Sequence, residues 1–337
     1  MSGEPRGESR EPSAECREQS AGPPSPVPRP QSVVIGTRGS QLALWQANHV
    51  AARLRSAVPG ISVDLQPIKT TGDKILDVPL AQIGGKALFV KEIEEALLEG
   101  RVDLAVHSMK DVPTDLPPGL AIAAVTLRED PLDVLISRAG KGLKDLPRGA
   151  RVGTSSLRRQ AQLLHYRADL AITGLRGNLD TRIRKLESEG LDAIVVAAAA
   201  MKRLGWTDRI TEFLSPEVCL PAIGQGALGV EGRQGDATGT AAAAAVDHRE
   251  THVAVVAERA FLRRLTGGCQ VPFAAYAEVK GDCILLRGLV ASPDGTQVLR
   301  GERSGICQEG EGLGVALAED LLDRGAGEII DTVLRRS

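Results

Sequence analysis

Six arginines recur beside short segments rich in hydroxyls and glycines: Arg38 two residues before Ser40, Arg158 and Arg159 just after Thr154-Ser155-Ser156, then Arg176, Arg182 and Arg203. A planar guanidinium grips an oxyanion through two hydrogen bonds, so this recurrence points to a ligand carrying several carboxylates or phosphates. A single arginine at a helix start is ordinarily a solvated surface residue; repetition is what argues for a shared ligand. Lys110 adds a cation, and beside it stands Asp111, followed by Val112-Pro113. The proline forces its predecessor out of helical geometry and holds the turn open. Salt bridges to the arginines would neutralise Asp111. Left free of them, it is the one anion placed to stabilise a cationic intermediate or shuttle a proton.

Cys269 follows Gly267-Gly268, which strip side chains from its approach and present the thiol on an uncluttered loop. Two readings stand side by side: a packed small hydrophobe, or a reactive thiol favoured as thiolate by Arg263 and Arg264. A thiol protease or acyltransferase would need a histidine and an aspartate as partners, and no such pairing accompanies it. Residues 153–156 (Gly-Thr-Ser-Ser) suit an ordinary helix N-cap or an anion site made of free backbone N–H groups. His107 alone reads as a packed, hydrogen-bonded histidine.

The elements that must position these groups follow from periodicity. A short apolar run at 33–36 leads into Ser40, which can cap a helix whose apolar residues keep helical spacing until Pro59-Gly60. Residues 61–68 alternate as a strand, 88–98 read as a helix, and 102–106 as a buried strand. A second run of strand and helix begins after Asp130-Pro131, with strands near 151–153, 170–172 and 192–196. Strand–helix alternation predicts parallel sheets with helices on both faces, and in such sheets ligands sit beyond the carboxyl ends of the strands, where the arginines fall. The last hundred residues group strands (273–279, 283–290) and then helices, the pattern of a small α+β domain. The expected organisation is a disordered tail over 1–31, a first lobe over 32–130 plus 225–245, a second over 131–224 and a third domain over 246–337.

Composition narrows the function. The 337 residues carry a formal net charge of −2 and 2% aromatics, so neither a field for nucleic acid or anionic membrane nor a base-stacking platform is present. Five widely spaced cysteines lack disulfide or zinc spacing, so no metal is expected, and a reducing, cytoplasmic setting fits best. Residues 1–30 contain seven prolines, five glutamates and no apolar run, unlike a secretory signal or transit peptide. No stretch of about 18 apolar residues offers a membrane span.

From about residue 32 to 335 the chain resembles the porphobilinogen deaminase (hydroxymethylbilane synthase) family. Seven segments carry the resemblance in order: Ile35-Gly36-Thr37-Arg38-Gly39-Ser40, Gly84-Gly85-Lys86, His107-Ser108-Met109-Lys110-Asp111-Val112-Pro113, Gly153-Thr154-Ser155-Ser156-Leu157-Arg158-Arg159, Leu175-Arg176-Gly177-Asn178, Gly224-Gln225-Gly226-Ala227 and Gly267-Gly268-Cys269-Gln270-Val271-Pro272. The resemblance implies two lobes like type II periplasmic binding proteins plus a small C-terminal domain. It also implies a transferase that condenses four porphobilinogens, with loss of ammonia, on a dipyrromethane primer held by a thioether to Cys269, then releases hydroxymethylbilane by hydrolysis.

On that reading Asp111 is catalytic. Ser40, Lys110, Thr154, Ser156, Arg158, Arg159, Arg176 and Arg182 hold the cofactor, Arg38 and Arg203 hold substrate, and Lys86 belongs to a flap over the cleft. A monomer is implied. Ala87 and Ala200 depart from the family pattern, where glycine is expected. The competing reading is a non-catalytic organic-anion binding protein of the same two-lobe type, in which Cys269 would be indifferent.

Overall fold

The structure is a computed structural model, and it describes residues 32–74, 90–265 and 271–336. Strand β1 (Ser32–Arg38) buries Val33 and Ile35 and ends at Arg38, where Ser40 turns the chain into the helix Gln41–Ala57. Ser40 Oγ accepts from the Ala43 N–H at 3.3 Å, satisfying one of the unpaired donors of the first turn. The helix presses Ala47, Val50, Ala51 and Leu54 onto the sheet and stops before Pro59, with Gly60 in the left-handed region (φ 81°). After β2 (Ser62–Ile68), β3 (Leu104–Ser108) and β4 (Leu120–Val125) the chain crosses to the second lobe. There it forms β5 (Asp133–Ser137), β6 (Arg151–Gly153), β7 (Ala171–Thr173), β8 (Ala193–Ala197) and β9 (Glu212–Leu214), and it returns through β10 (Leu228–Arg233).

The two sheets repeat one topology. The first has the order β2-β1-β3-β10-β4 and the second β7-β6-β8-β5-β9. In each, two parallel pairs are flanked by a strand running antiparallel to both its neighbours, and that strand, β10 or β5, is the one entering from the other lobe. The purely parallel sheets expected from alternation are thus corrected to mixed sheets. Each crossing inserts its strand from the opposite end, which βαβ alternation alone does not reveal.

In the third unit, β11 (Phe273–Lys280), β12 (Cys283–Ala291) and β13 (Val298–Ile306) form an antiparallel meander. The helices Arg249–Leu265 and Gly310–Leu321 pack with it around the fully buried Phe261. Glu258, also fully buried, ties this unit to both crossings. It takes two hydrogen bonds from Arg128, at 2.7 and 2.8 Å, one from the Gly224 N–H at 2.6 Å, and one from the Ala277 N–H at 2.8 Å.

Candidate active site

Asp111 closes a single 3-10 turn, Met109–Asp111, directly beyond the carboxyl end of β3, and Val112 is already extended ahead of Pro113. Behind the turn, Met109 is buried, and Gly224 and Gly226 pack against the same corner. Both glycines have positive φ (71° and 88°), and a Cβ on Gly224 would lie 2.7 Å from Met109 Cβ while one on Gly226 would lie 2.2 Å from the Glu129 carbonyl oxygen. The Gly-Gln-Gly return therefore requires glycine at both positions, Gly224 to lie flat against the Asp111 turn and Gly226 against the Glu129 backbone.

The arginine pair is committed in a way the sequence did not show. Asp133, fully buried at the start of β5, receives Arg158 Nη1 on one oxygen at 2.7 Å, and Arg159 Nη2 and Nε on the other at 2.7 and 3.1 Å. Gln225 Nε2 and the Cys219 thiol also donate to it, at 2.9 and 3.3 Å. Burial alone would raise this carboxyl's pKa, but the two guanidiniums outweigh it and hold it far below the usual carboxylate range. One carboxylate against two guanidiniums leaves one positive charge in the lobe wall. The remaining contacts of the pair fix backbone: Arg158 reaches the Leu220 carbonyl at 2.7 Å and Arg159 the Val195 carbonyl at 3.0 Å.

The other cations are less neutralised. Lys110 has its pKa lowered to about 8, first by burial, then by Arg159 and Arg182, against the opposing pull of Asp111 and Asp133. Arg182 stands in the first turn of the helix Leu179–Ser188 and donates to the Gly177 carbonyl at 2.8 Å. Its pKa is lowered to about 10 by burial, Arg159 and Arg176, with Asp111 opposing. Lys110, Asp111, Arg159, Arg176 and Arg182 thus belong to one electrostatic neighbourhood. Among the described residues, no cation lies within ion-pair distance of Asp111, and no carboxylate within that distance of Lys110 or Arg182.

Arg203, the last residue of the helix Ala198–Arg203, reaches out of its own lobe to the Gly226 carbonyl at 2.6 Å and lies 5.9 Å over the Trp45 ring. Burial lowers its pKa to about 10. Beside it a cavity of about 20 Å³, room for one water, is lined by Gln46, Ser108 and Lys110 from one lobe and Ala199, Ala200 and Arg203 from the other. Ala200 forms part of this wall.

The remaining expected site residues are placed as follows. Arg38 and Arg176 are half-buried at the ends of β1 and of the segment after β7. Thr154 is buried, its Oγ1 accepting from the Ser156 N–H at 3.2 Å, and Ser156 Oγ accepts from the Arg159 N–H at 3.4 Å. Cys269 and Lys86, like Ala87, lie outside the described residues. The structure adds three residues that sequence reasoning missed: Asp133, Gln225 and Gln46, whose Nε2 donates to Ser108 Oγ at 2.8 Å. The amides carry no charge to draw attention. Asp133 is one acid in a run with Glu129 and Asp130, and it lies 25 residues before the arginine it binds.

Fold and site together define a two-lobed α/β protein whose cleft gathers cations around Asp111, a carboxylate without an ion-pair partner among the described residues, with a third domain braced against both lobe crossings. Residues 33–241 match the family model described as porphobilinogen deaminase, dipyromethane cofactor binding domain, and residues 252–323 match the porphobilinogen deaminase C-terminal domain. The porphobilinogen deaminase of Geobacter metallireducens is 57% identical over 307 residues, covering 91% of this chain and 96% of that protein. That of Pelobacter propionicus is 56% identical, covering 91% and 99%. The chain belongs to the porphobilinogen deaminase family. Among solved structures it is similar to the methionine-binding protein MetQ (TM-score 0.41, 16% identity, 66% of this chain and 93% of that one). It is also similar to DctP7, an extracytoplasmic solute receptor of Bordetella pertussis (TM-score 0.40, 13% identity, 90% and 99%). Among the described residues no helix is long and apolar enough to cross a membrane.

Proposed function

We propose that this chain releases ammonia from porphobilinogen and joins four such units head to tail on a dipyrromethane bound through Cys269, then releases hydroxymethylbilane by hydrolysis. The observation that carries the reading is Asp111, a carboxylate without an ion-pair partner among the described residues, set in a neighbourhood of Lys110, Arg159, Arg176 and Arg182. Each coupling forms one carbon–carbon bond at a pyrrole α-carbon and breaks the carbon–nitrogen bond of an aminomethyl group. The α-proton leaves with the ammonia, so no oxidant is needed. Positive charge develops on the substrate both when ammonia departs and when the ring is attacked. Asp111 stabilises that charge and holds the displaced proton.

The residues present fit the cofactor. Burial, with neighbouring arginines, pulls down the pKa values of Lys110 and Arg182, and carboxylates of a dipyrromethane would raise them again. With Ser40, Thr154, Ser156, Arg158, Arg159 and Arg176 they form the proposed binding set, while Arg38 and Arg203 receive the acetate and propionate of the incoming unit. When bound, dipyrromethane supplies the free pyrrole α-carbon from which the chain grows. Cys219 is unsuited to anchor it: burial, with Asp133, pushes that thiol up to about 12, so it stays protonated. Cys269, in its Gly-Gly-Cys segment, is the anchor proposed, and the boundaries at 130/131, 224/225 and 245/246 are proposed to separate the three units. Purified protein given porphobilinogen should release ammonia and form a tetrapyrrole; binding without ammonia release would favour the anion-binding alternative.

A further inference from the structure

The helix Arg249–Leu265 ends four residues before Cys269, and two consecutive side chains leave it in different directions. Glu258 takes Arg128 and the Gly224 N–H, as described above. Arg259 turns instead to the first lobe: its Nη2 donates to the carbonyls of Pro113 and Thr114 at 2.7 and 2.8 Å, and its Nη1 to that of Val112 at 3.5 Å. These are three successive carbonyls, beginning one residue after Asp111. The segment belongs to no strand, and Pro113 has no N–H to contribute to one. Among the described residues no carboxylate stands within ion-pair distance of Arg259, while its neighbour one turn on, Arg263, pairs with Glu311 at 3.4 Å and reaches Asp115 at 4.0 Å. A half-buried guanidinium is thus used on neutral backbone, with the rigid fork of arginine spanning the carbonyls that follow the Asp111 turn.

We propose that Arg259 is a positioning residue for the deaminase reaction, fixing the Asp111 turn to the same helix that leads to Cys269. The proposal rests on the reading of Asp111 given above. The Asp111 turn is then held by a helix of the third unit, and domain 3 contributes to catalysis without touching the reacting atoms.

The test uses holoenzyme, with kcat and KM for ammonia release and cofactor content by intact mass. R259A is expected to lose about 10- to 100-fold in kcat, the scale of a small misplacement of a catalytic group, with KM and cofactor content unchanged. R259K should recover part of the loss, and E311A, at an exposed position on the following helix, should match wild type. In a D111E background, where the carboxylate is already displaced, the R259A loss should shrink. Wild-type kcat in R259A, or an equal loss in both backgrounds, would overturn the proposal. Should R259A fail to fold, R259K, whose single ammonium cannot span three carbonyls, is judged by the same kcat and background criteria. Turnover retained by D111N would instead sink the reading of Asp111, so the two failures are distinguishable.

Discussion

Arg159 holds one oxygen of Asp133 with two nitrogens, at 2.7 and 3.1 Å, and this buried pairing decides what the cleft presents to a ligand. Asp133 takes up Arg158 and Arg159 from within, and Asp111 has no ion-pair partner among the described residues. The paired arginines keep one net positive charge between them. A cleft can in this way be cationic and still present a carboxylate without an ion-pair partner among the described residues.

Removing the internal partner should therefore be costly. Asp133→Asn leaves two buried guanidiniums short of their anion, and breaking a buried pair by removing one member costs about 3–5 kcal/mol. Calorimetry should show a melting temperature well below that of wild type; an unchanged one would mean that Asp133 does not organise the pair.

Asp111→Asn keeps the size and hydrogen-bonding capacity of the side chain but not its charge. Loss of one preorganised electrostatic group costs on the order of 100- to 1,000-fold in turnover. The variant should fold and retain its cofactor, and a kcat near that of wild type would refute the assigned role.

Lys110 gives the cleft a pH dependence. With its pKa lowered to about 8, it is cationic below that pH and progressively neutral above it. A carboxylate bound beside it raises the value, so anion binding is strongest below about pH 8 and weakens as pH rises through it. Binding of dipyrromethane to cofactor-free Cys269→Ser protein, followed from pH 7 to 10, should show this decline and a flatter profile when Lys110→Arg is added. Identical profiles would remove Lys110 from the binding set.

Glu94 is buried beneath the first sheet near Glu231, whose carboxylate lies 2.9 Å from His107 Nε2. Its pKa is raised to about 7, by burial and then by Glu231. A raised carboxyl stabilises the fold most below its unfolded value of 4.5, and that contribution is lost as pH rises through 7. Glu94→Gln should consequently raise the melting temperature at pH 8 relative to wild type, with little or no gain near pH 4; equal effects at both would contradict the assignment.

Much of this was legible in the sequence, and the reasons for the rest are local. The cap at Ser40, the open turn before Pro113 and the cationic edge followed from residue chemistry. Strand β3 was read two residues early, because its end, His107-Ser108, is polar while Val102 before it is apolar and buried. Strand β10 was missed altogether: Leu228–Arg233 holds two glycines, a glutamate and an arginine, a loop-like composition made viable by burial between β3 and β4. Strand β13 carries one exposed polar run and pairs only with β12, so its pattern is faint. The partner of Arg158 and Arg159 was hidden because ion pairs between distant segments leave no spacing to read.

The account turns on a primer held covalently at Cys269, and intact-mass measurement of the purified wild-type protein beside Cys269→Ser reads this directly. Wild type should exceed its sequence mass by two linked pyrroles, each with its acetate and propionate, and Cys269→Ser should match its sequence mass and release no ammonia from porphobilinogen. An unmodified wild type, or a Cys269→Ser protein that still carries the two pyrroles, would contradict the account.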